Sequence, residues 1–194
     1  MNFNLFIKNL FSRCIGIIAS PKEEWIKIKK EDNTFFQLIA NFLFPLLILT
    51  AFASMIGSYF QMVGNGFERD ILIISGLEPF LSILISILIS ILAINAMIKT
   101  FGGTPNINQA SKLVVYSFVP GILVAIIFGM IPWFYILGLF FLYSFYIFYH
   151  GTPVMLNIPP ERQSNFSILS STTILIVYLM INFILSSSFG AIHT

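Results

Sequence analysis

The sequence predicts an all-α fold, a polytopic membrane bundle of five transmembrane helices preceded by amphipathic helices lying in the interface, and three observations carry that expectation. Of 194 residues, 57% are hydrophobic and only 9% charged, with mean hydropathy +0.92, too little polar surface to cover a soluble domain of this length. Five stretches are each long and apolar enough to cross roughly 30 Å of hydrocarbon as a helix, which takes about 20 residues. Once those crossings are drawn, nine of the ten Lys and Arg fall on one side.

The chain divides into residues 1–34, the interfacial helices, and residues 35–194, the membrane domain. In the first, Phe3, Phe6, Ile7, Leu10, Phe11, Cys14, Ile17 and Ile18 recur at helical spacing. Lys8, Asn9, Ser12 and Arg13 take the other face, so Phe11 and Arg13 read as interface anchors. A secretory signal is not expected, because Lys8 and Arg13 interrupt the apolar stretch and Pro21 directly follows the small-residue site. Cys14, the single cysteine, leaves no thiol pair and is expected to pack as a small apolar group. A second helix opens at Ser20-Pro21, with Ser20 as cap, Pro21 in the first turn and Glu23 reaching back in a capping box. Trp25 is placed at headgroup level as a third anchor. Between Lys22 and Asp32 four lysines meet four acids in pairs such as Glu23 with Lys27, which describes a self-paired solvated helix rather than a lipid-binding basic patch.

The crossings are predicted at 35–60, 79–98, 113–130, 132–149 and 168–189. The apolar run of the second begins at Ile71, but Gly76 and the Glu78-Pro79 pair are expected to break it, leaving 71–77 as a short interfacial or re-entrant piece. Pro45 and Pro120 are expected to loosen their helices. Lys8, Arg13, Lys22, Lys27, Lys29 and Lys30 precede the first crossing, and Lys99, Lys112 and Arg162 follow the second and fourth, against Arg69 alone opposite. By the positive-inside rule the N-terminus is cytoplasmic and the C-terminus with His193 lies outside.

Within lipid, helices associate by close packing of small residues. Ser117, Gly121, Ala125 and Gly129 follow at intervals of four on the third crossing, and Ser82, Ser86 and Ser90 on the second. These faces are expected to meet, their hydroxyls bonding across the seam or back to their own backbone. Glu78 has two readings: a carboxylate at a helix N-terminus near the headgroups, or an intramembrane site for a proton or cation. Under the second, Glu78, Ser82, Asn95, Tyr135, Tyr143 and Tyr146 would line a polar path; His150 reads as a cap at the end of the fourth crossing.

No motif for a nucleophile, a nucleotide loop or a metal site occurs, so neither catalytic residues nor cofactors are expected, and nothing points to nucleic acid. Two functions follow from different classes. One is a non-enzymatic protein that organises lipids and membrane proteins, itself included, through its small-residue faces. The other is a small transporter or channel built around Glu78.

The order of several short stretches resembles the Yip1 domain family in its bacterial branch. They are Ser20-Pro21-Lys22-Glu23-Glu24-Trp25-Ile26-Lys27-Ile28 leading to Glu31, Phe44-Pro45, Ile56-Gly57-Ser58, Phe101-Gly102-Gly103 and Val115-Tyr116-Ser117-Phe118-Val119-Pro120. Tyr149-His150-Gly151-Thr152-Pro153-Val154-Met155 and Phe166-Ser167-Ile168-Leu169-Ser170-Ser171 complete the series. The resemblance implies a five-helix membrane domain with its N-terminus in the cytoplasm. Eukaryotic members act in vesicle trafficking and bind Rab-type GTPases. This chain lacks their long polar N-terminal extension and their Tyr-Gly-Pro element, so a Rab-type partner is not expected.

Overall fold

The structure, a computed structural model, describes residues 3–63, 69–131 and 135–190; the end of the turn before Arg69, the start of the fourth predicted crossing and His193 lie outside them. Among the described residues every regular element is a helix. Helices α1 (Phe3–Ala19) and α2 (Pro21–Lys29) close one end of the bundle. α1 turns Leu10, Cys14 and Ile17 inward and leaves Leu5, Phe11 and Ile15 exposed. Pro21 does sit in the first turn of α2, but the Ser20 side chain caps nothing and Glu23 is exposed, so the expected capping box is absent there. The box closes one helix later: the Gln37 N–H donates to the Thr34 hydroxyl, and the Thr34 N–H donates to the Gln37 side chain.

The first crossing, α3 (Phe35–Met62), is interrupted by a π turn at Ile39–Leu43. Its cause is Pro45, which has no N–H to give the Asn41 carbonyl, while the Phe44 N–H reaches back five residues to the Ile39 carbonyl. α4 (Arg69–Thr100) is one continuous helix with Pro79 inside it, which corrects the expected break at Gly76 to Pro79. A proline inside a long apolar helix removes one hydrogen bond, yet neighbouring helices hold the backbone in register. Gly76 serves contact rather than termination, since a Cβ there would fall 2.6 Å from the Met55 side chain of α3.

The third crossing is a bent pair, α5 (Ile107–Ser117) and α6 (Val119–Met130), meeting at 41° where Pro120 withholds its N–H. It starts six residues before the expected 113, because the Asn106 side chain accepts from the N–H groups of Asn108 and Gln109 and caps the helix. A 3₁₀ stretch, Tyr135–Leu142, feeds α7 (Tyr143–Leu156), which ends at Asn157 in the left-handed region. His150 is therefore inside a helix, ringed by Tyr146 at 4.4 Å and Tyr149 at 5.7 Å, and is not the terminal cap expected of it. The last crossing is α8 (Pro160–Gly190).

Among the described residues four helices, or five with the bent pair taken as one span, are long and apolar enough to cross a membrane. α4 packs along α3 and α8, α5 lies against α7 and α4, and α6 lies against α3. The expected seam between crossings two and three is thus divided. Only α5 is among the principal neighbours of α4, and the glycine-bearing half turns to α3, where a Cβ on Gly129 would fall 2.7 Å from the Ser54 hydroxyl. Ser82, Ser86, Ser90 and Ser117 are buried, but their hydroxyls make none of the expected bonds among the described residues. The 41° bend is the physical reason: it swings α6 off the line that α5 keeps with α4.

Candidate functional site

At the end of the bundle away from α1 and α2, the bend of the third crossing leaves a cavity of about 600 Å³. One wall is the small-residue face of α6, Gly121, Ala125 and Gly129; Ser54 of α3 and Gly138 of the 3₁₀ stretch widen it further. Opposite stand Ser75, Glu78 and Pro79 of α4, and Leu175, Tyr178 and Asn182 of α8. Phe141 and Tyr178, stacked at 5.5 Å, close one side. Most of the lining is apolar, with Glu78 its only carboxylate among the described residues.

The setting of Glu78 decides between its two readings. Because α4 begins at Arg69 and runs unbroken through Pro79, Glu78 is inside a helix, and the helix-terminus account of its charge is overturned. At 1.5 Å per residue it stands about 13 Å along the axis from Arg69. Among the described residues it has no ion-pair partner. Half-buried beside the cavity, it is a candidate for a site.

The other residues of the expected path are scattered. Ser82 is buried in the helix packing, and neither it nor Asn95 lines the cavity. The Tyr143 hydroxyl donates to the Ile18 carbonyl at 2.9 Å, at the α1 end of the molecule, and Tyr146 stacks on Tyr143. The side chain of Tyr135 lies outside the described residues. The six do not form one path through the described bundle.

A second constellation, which sequence reasoning missed, gathers at the α1–α2 end. Trp25 is fully buried; its indole N–H donates to the Ile147 carbonyl at 3.0 Å, and its ring fits over Gly151, where a Cβ would come within 2.5 Å. It pins α2 to α7 and is not the headgroup anchor expected. The amphipathic pattern of the N-terminal segment suggested a lipid contact, whereas the receiving hole is made by a glycine far along the chain. Arg13, likewise expected as an anchor, pairs with Glu24 at 2.5 Å and with Glu31, and lies 5.8 Å above the Tyr116 ring. Lys27 bonds Glu24 at 2.9 Å, replacing the expected pairing with Glu23. Gly16 is small for the same reason: a Cβ there would meet the Glu24 carboxylate.

Lys112, counted in the sequence as a loop charge, is buried in α5 and donates to the Glu31 carbonyl and to the Ile28 carbonyl at the end of α2, which also accepts from the Glu31 N–H. A polar cleft of about 290 Å³ opens beside this cluster, with Arg13, Glu31, Gln37, Asn41 and Tyr116 among its walls. Phe11 stays exposed on α1. Among the described residues no group of three or more His, Cys, Asp or Glu is placed to hold a metal ion.

Cys14 is buried beneath this cluster, and burial pushes its thiol up to about 11. The sign follows from proton binding. The unfolded thiol ionises near its ordinary value of 9.0 while the folded one keeps its proton to about 11, so this group favours the fold less and less as pH rises through that window. At pH 8 alkylation of the native protein by iodoacetamide is expected to run about a hundredfold slower than after unfolding. Equal rates in the two states would show the thiol to be open.

The model of the Yip1 domain family matches residues 15–182, which takes in the cavity and all of the second constellation but Arg13 and Cys14. No curated protein and no solved structure matches the chain.

Proposed function

We propose, from the premise that this chain belongs to the Yip1 domain family, that it is a non-enzymatic multi-pass membrane protein that holds a molecule drawn from the bilayer beside Glu78. The observation that carries this reading is the cavity of about 600 Å³ that reaches Glu78. It is large enough for a small ligand or a portion of a lipid, and its lining, mostly apolar with a few convergent polar groups, is that of a binding site. Organisation of lipids fits better than assembly of membrane proteins through the glycine face, because Gly121, Ala125 and Gly129 border that cavity and Gly129 is already packed on α3. The transporter reading is weaker: Tyr143 is engaged with α1, and Ser82 and Asn95 stand off the cavity.

In this proposal α1 and α2 lie at the cytoplasmic face, in keeping with the count of Lys and Arg, and the cavity belongs to the outward half. Phe11 anchors α1 at the interface. A Rab-type GTPase has no place in it.

Filling the cavity tests the reading. Ala125→Phe should abolish the mass of any lipid that co-purifies with the wild-type protein in native mass spectrometry, with the unfolding midpoint kept within a few degrees. Wild-type protein that carries nothing, or a variant that carries the same species in the same amount, would overturn the proposal.

A further inference from the structure

The polar groups around Glu78 share one property: they accept hydrogen bonds. Glu78 has no ion-pair partner among the described residues. One turn before Pro79 stands Ser75, whose carbonyl Pro79 cannot serve, having no N–H, while the Ser75 hydroxyl is engaged with the Leu72 carbonyl at 2.8 Å. Across the cavity, the Asn182 side-chain N–H donates to the Tyr178 carbonyl at 2.8 Å, which leaves its amide oxygen as the acceptor. A carboxylate, a backbone carbonyl and an amide oxygen thus border one space whose remaining walls, Gly121, Ala125, Phe141 and Leu175 among them, are apolar.

A half-buried carboxylate bordering such a space is a natural partner for a positively charged group. A bare metal ion would leave the apolar remainder of the walls uncovered. An ammonium group on an aliphatic chain satisfies both halves: its N–H donors match the acceptors, and its chain covers the surface along α6. A phosphate or carboxylate head would face the Glu78 carboxyl and find no cationic side chain among the described lining residues, only the hydroxyls of Ser54 and Tyr178. We propose that the cavity selects an amphiphile bearing a primary ammonium group, paired with Glu78 and steadied by Asn182, its chain running along the Gly121–Ala125 face.

This rests on the reading of the cavity as a binding site, and the test separates the two. Full-length protein in nanodiscs is irradiated with dodecylammonium, dodecanol or dodecyl phosphate, each carrying a diazirine on its chain, and labelled residues are mapped by mass spectrometry. The expected result is labelling of the cavity walls by dodecylammonium at least tenfold above the other two. In Glu78→Gln the ammonium is expected to fall to the level of dodecanol, and in Asn182→Leu to fall severalfold, with unfolding midpoints unchanged. Equal wall labelling by dodecylammonium and dodecanol in the wild type, or stronger labelling by the phosphate, overturns selection for an ammonium and leaves the cavity reading standing. Labelling of the walls no stronger than that of the exposed Phe183 and Ile184 of α8 overturns both.

Discussion

Trp25→Ala is expected to lower the unfolding free energy by about 3–5 kcal/mol, the range for emptying a large aromatic site in a packed interior. The size of the effect comes from position. Trp25 is 0% exposed, donates to the Ile147 carbonyl, meets the Tyr116 ring edge to face at 6.3 Å, and is the largest side chain joining α2 to α7. Alanine would remove all three and leave a hole between Gly151 and Leu113. Trp25→Phe separates the contributions: it keeps most of the ring volume and loses the hydrogen bond, worth about 1 kcal/mol. Unfolding in mixed micelles at increasing SDS fraction measures both. A Trp25→Ala midpoint within error of the wild type would mean that the side chain rests in lipid, as its neighbourhood in the sequence suggested.

The second large effect is expected at Gly57, where α3 and α6 approach backbone to backbone. A Cβ on Gly57 would overlap the Gly129 carbonyl oxygen, and one on Gly129 would come within 2.8 Å of the Ser54 backbone nitrogen. Neither obstacle is a side chain that can swing aside. The glycine hydrogen in the place of that Cβ points at the Gly129 carbonyl, the arrangement of a weak C–H···O contact that recurs where membrane helices touch. Gly57→Ala is therefore expected to cost at least about 2–3 kcal/mol, since overpacking here must push α3 and α6 apart. Gly190→Ala supplies the comparison: nothing lies within 4 Å of a Cβ there, so a change below about 0.5 kcal/mol is expected. Equal midpoints for the two variants would contradict the close approach.

What the sequence made legible was set by local rules. Apolar stretches longer than a bilayer declare themselves, and among the described residues four helices, or five with the bent pair as one span, have the length and composition to cross. The partnerships were not local and were misread. The stripe on α6 does mark a close contact, but with Ser54 and Gly57 of α3, and nothing in the spacing of Ser82, Ser86 and Ser90 could reveal that Pro120 bends the helix away from them. Glu78-Pro79 looked like a helix start because proline usually is one in water. In a bundle the lost hydrogen bond is tolerable, and the same dipeptide becomes the wall of a cavity. Lys112 looked like a loop charge for want of any sign that the carbonyls closing α2 would come to it. The recurring stretches Ser20 to Ile28, Val115 to Pro120 and Tyr149 to Met155 converge at one end of the molecule, so the family pattern was legible while the contact it encodes was not.

The π turn at Ile39–Leu43 has a rotational consequence. Winding one additional residue into a turn leaves everything upstream about 100° out of phase with an uninterrupted α-helix. Phe35, whose N–H donates to the Asn108 side chain at 2.9 Å, and the Thr34–Gln37 box owe their azimuth to that surplus residue. Deleting Ala40 would let the helix wind regularly past Pro45 and, in the same stroke, aim Phe35 away from α5. The first crossing thus carries one amino acid whose contribution is angular: it sets the bearing at which the N-terminal helices are handed to the rest of the chain.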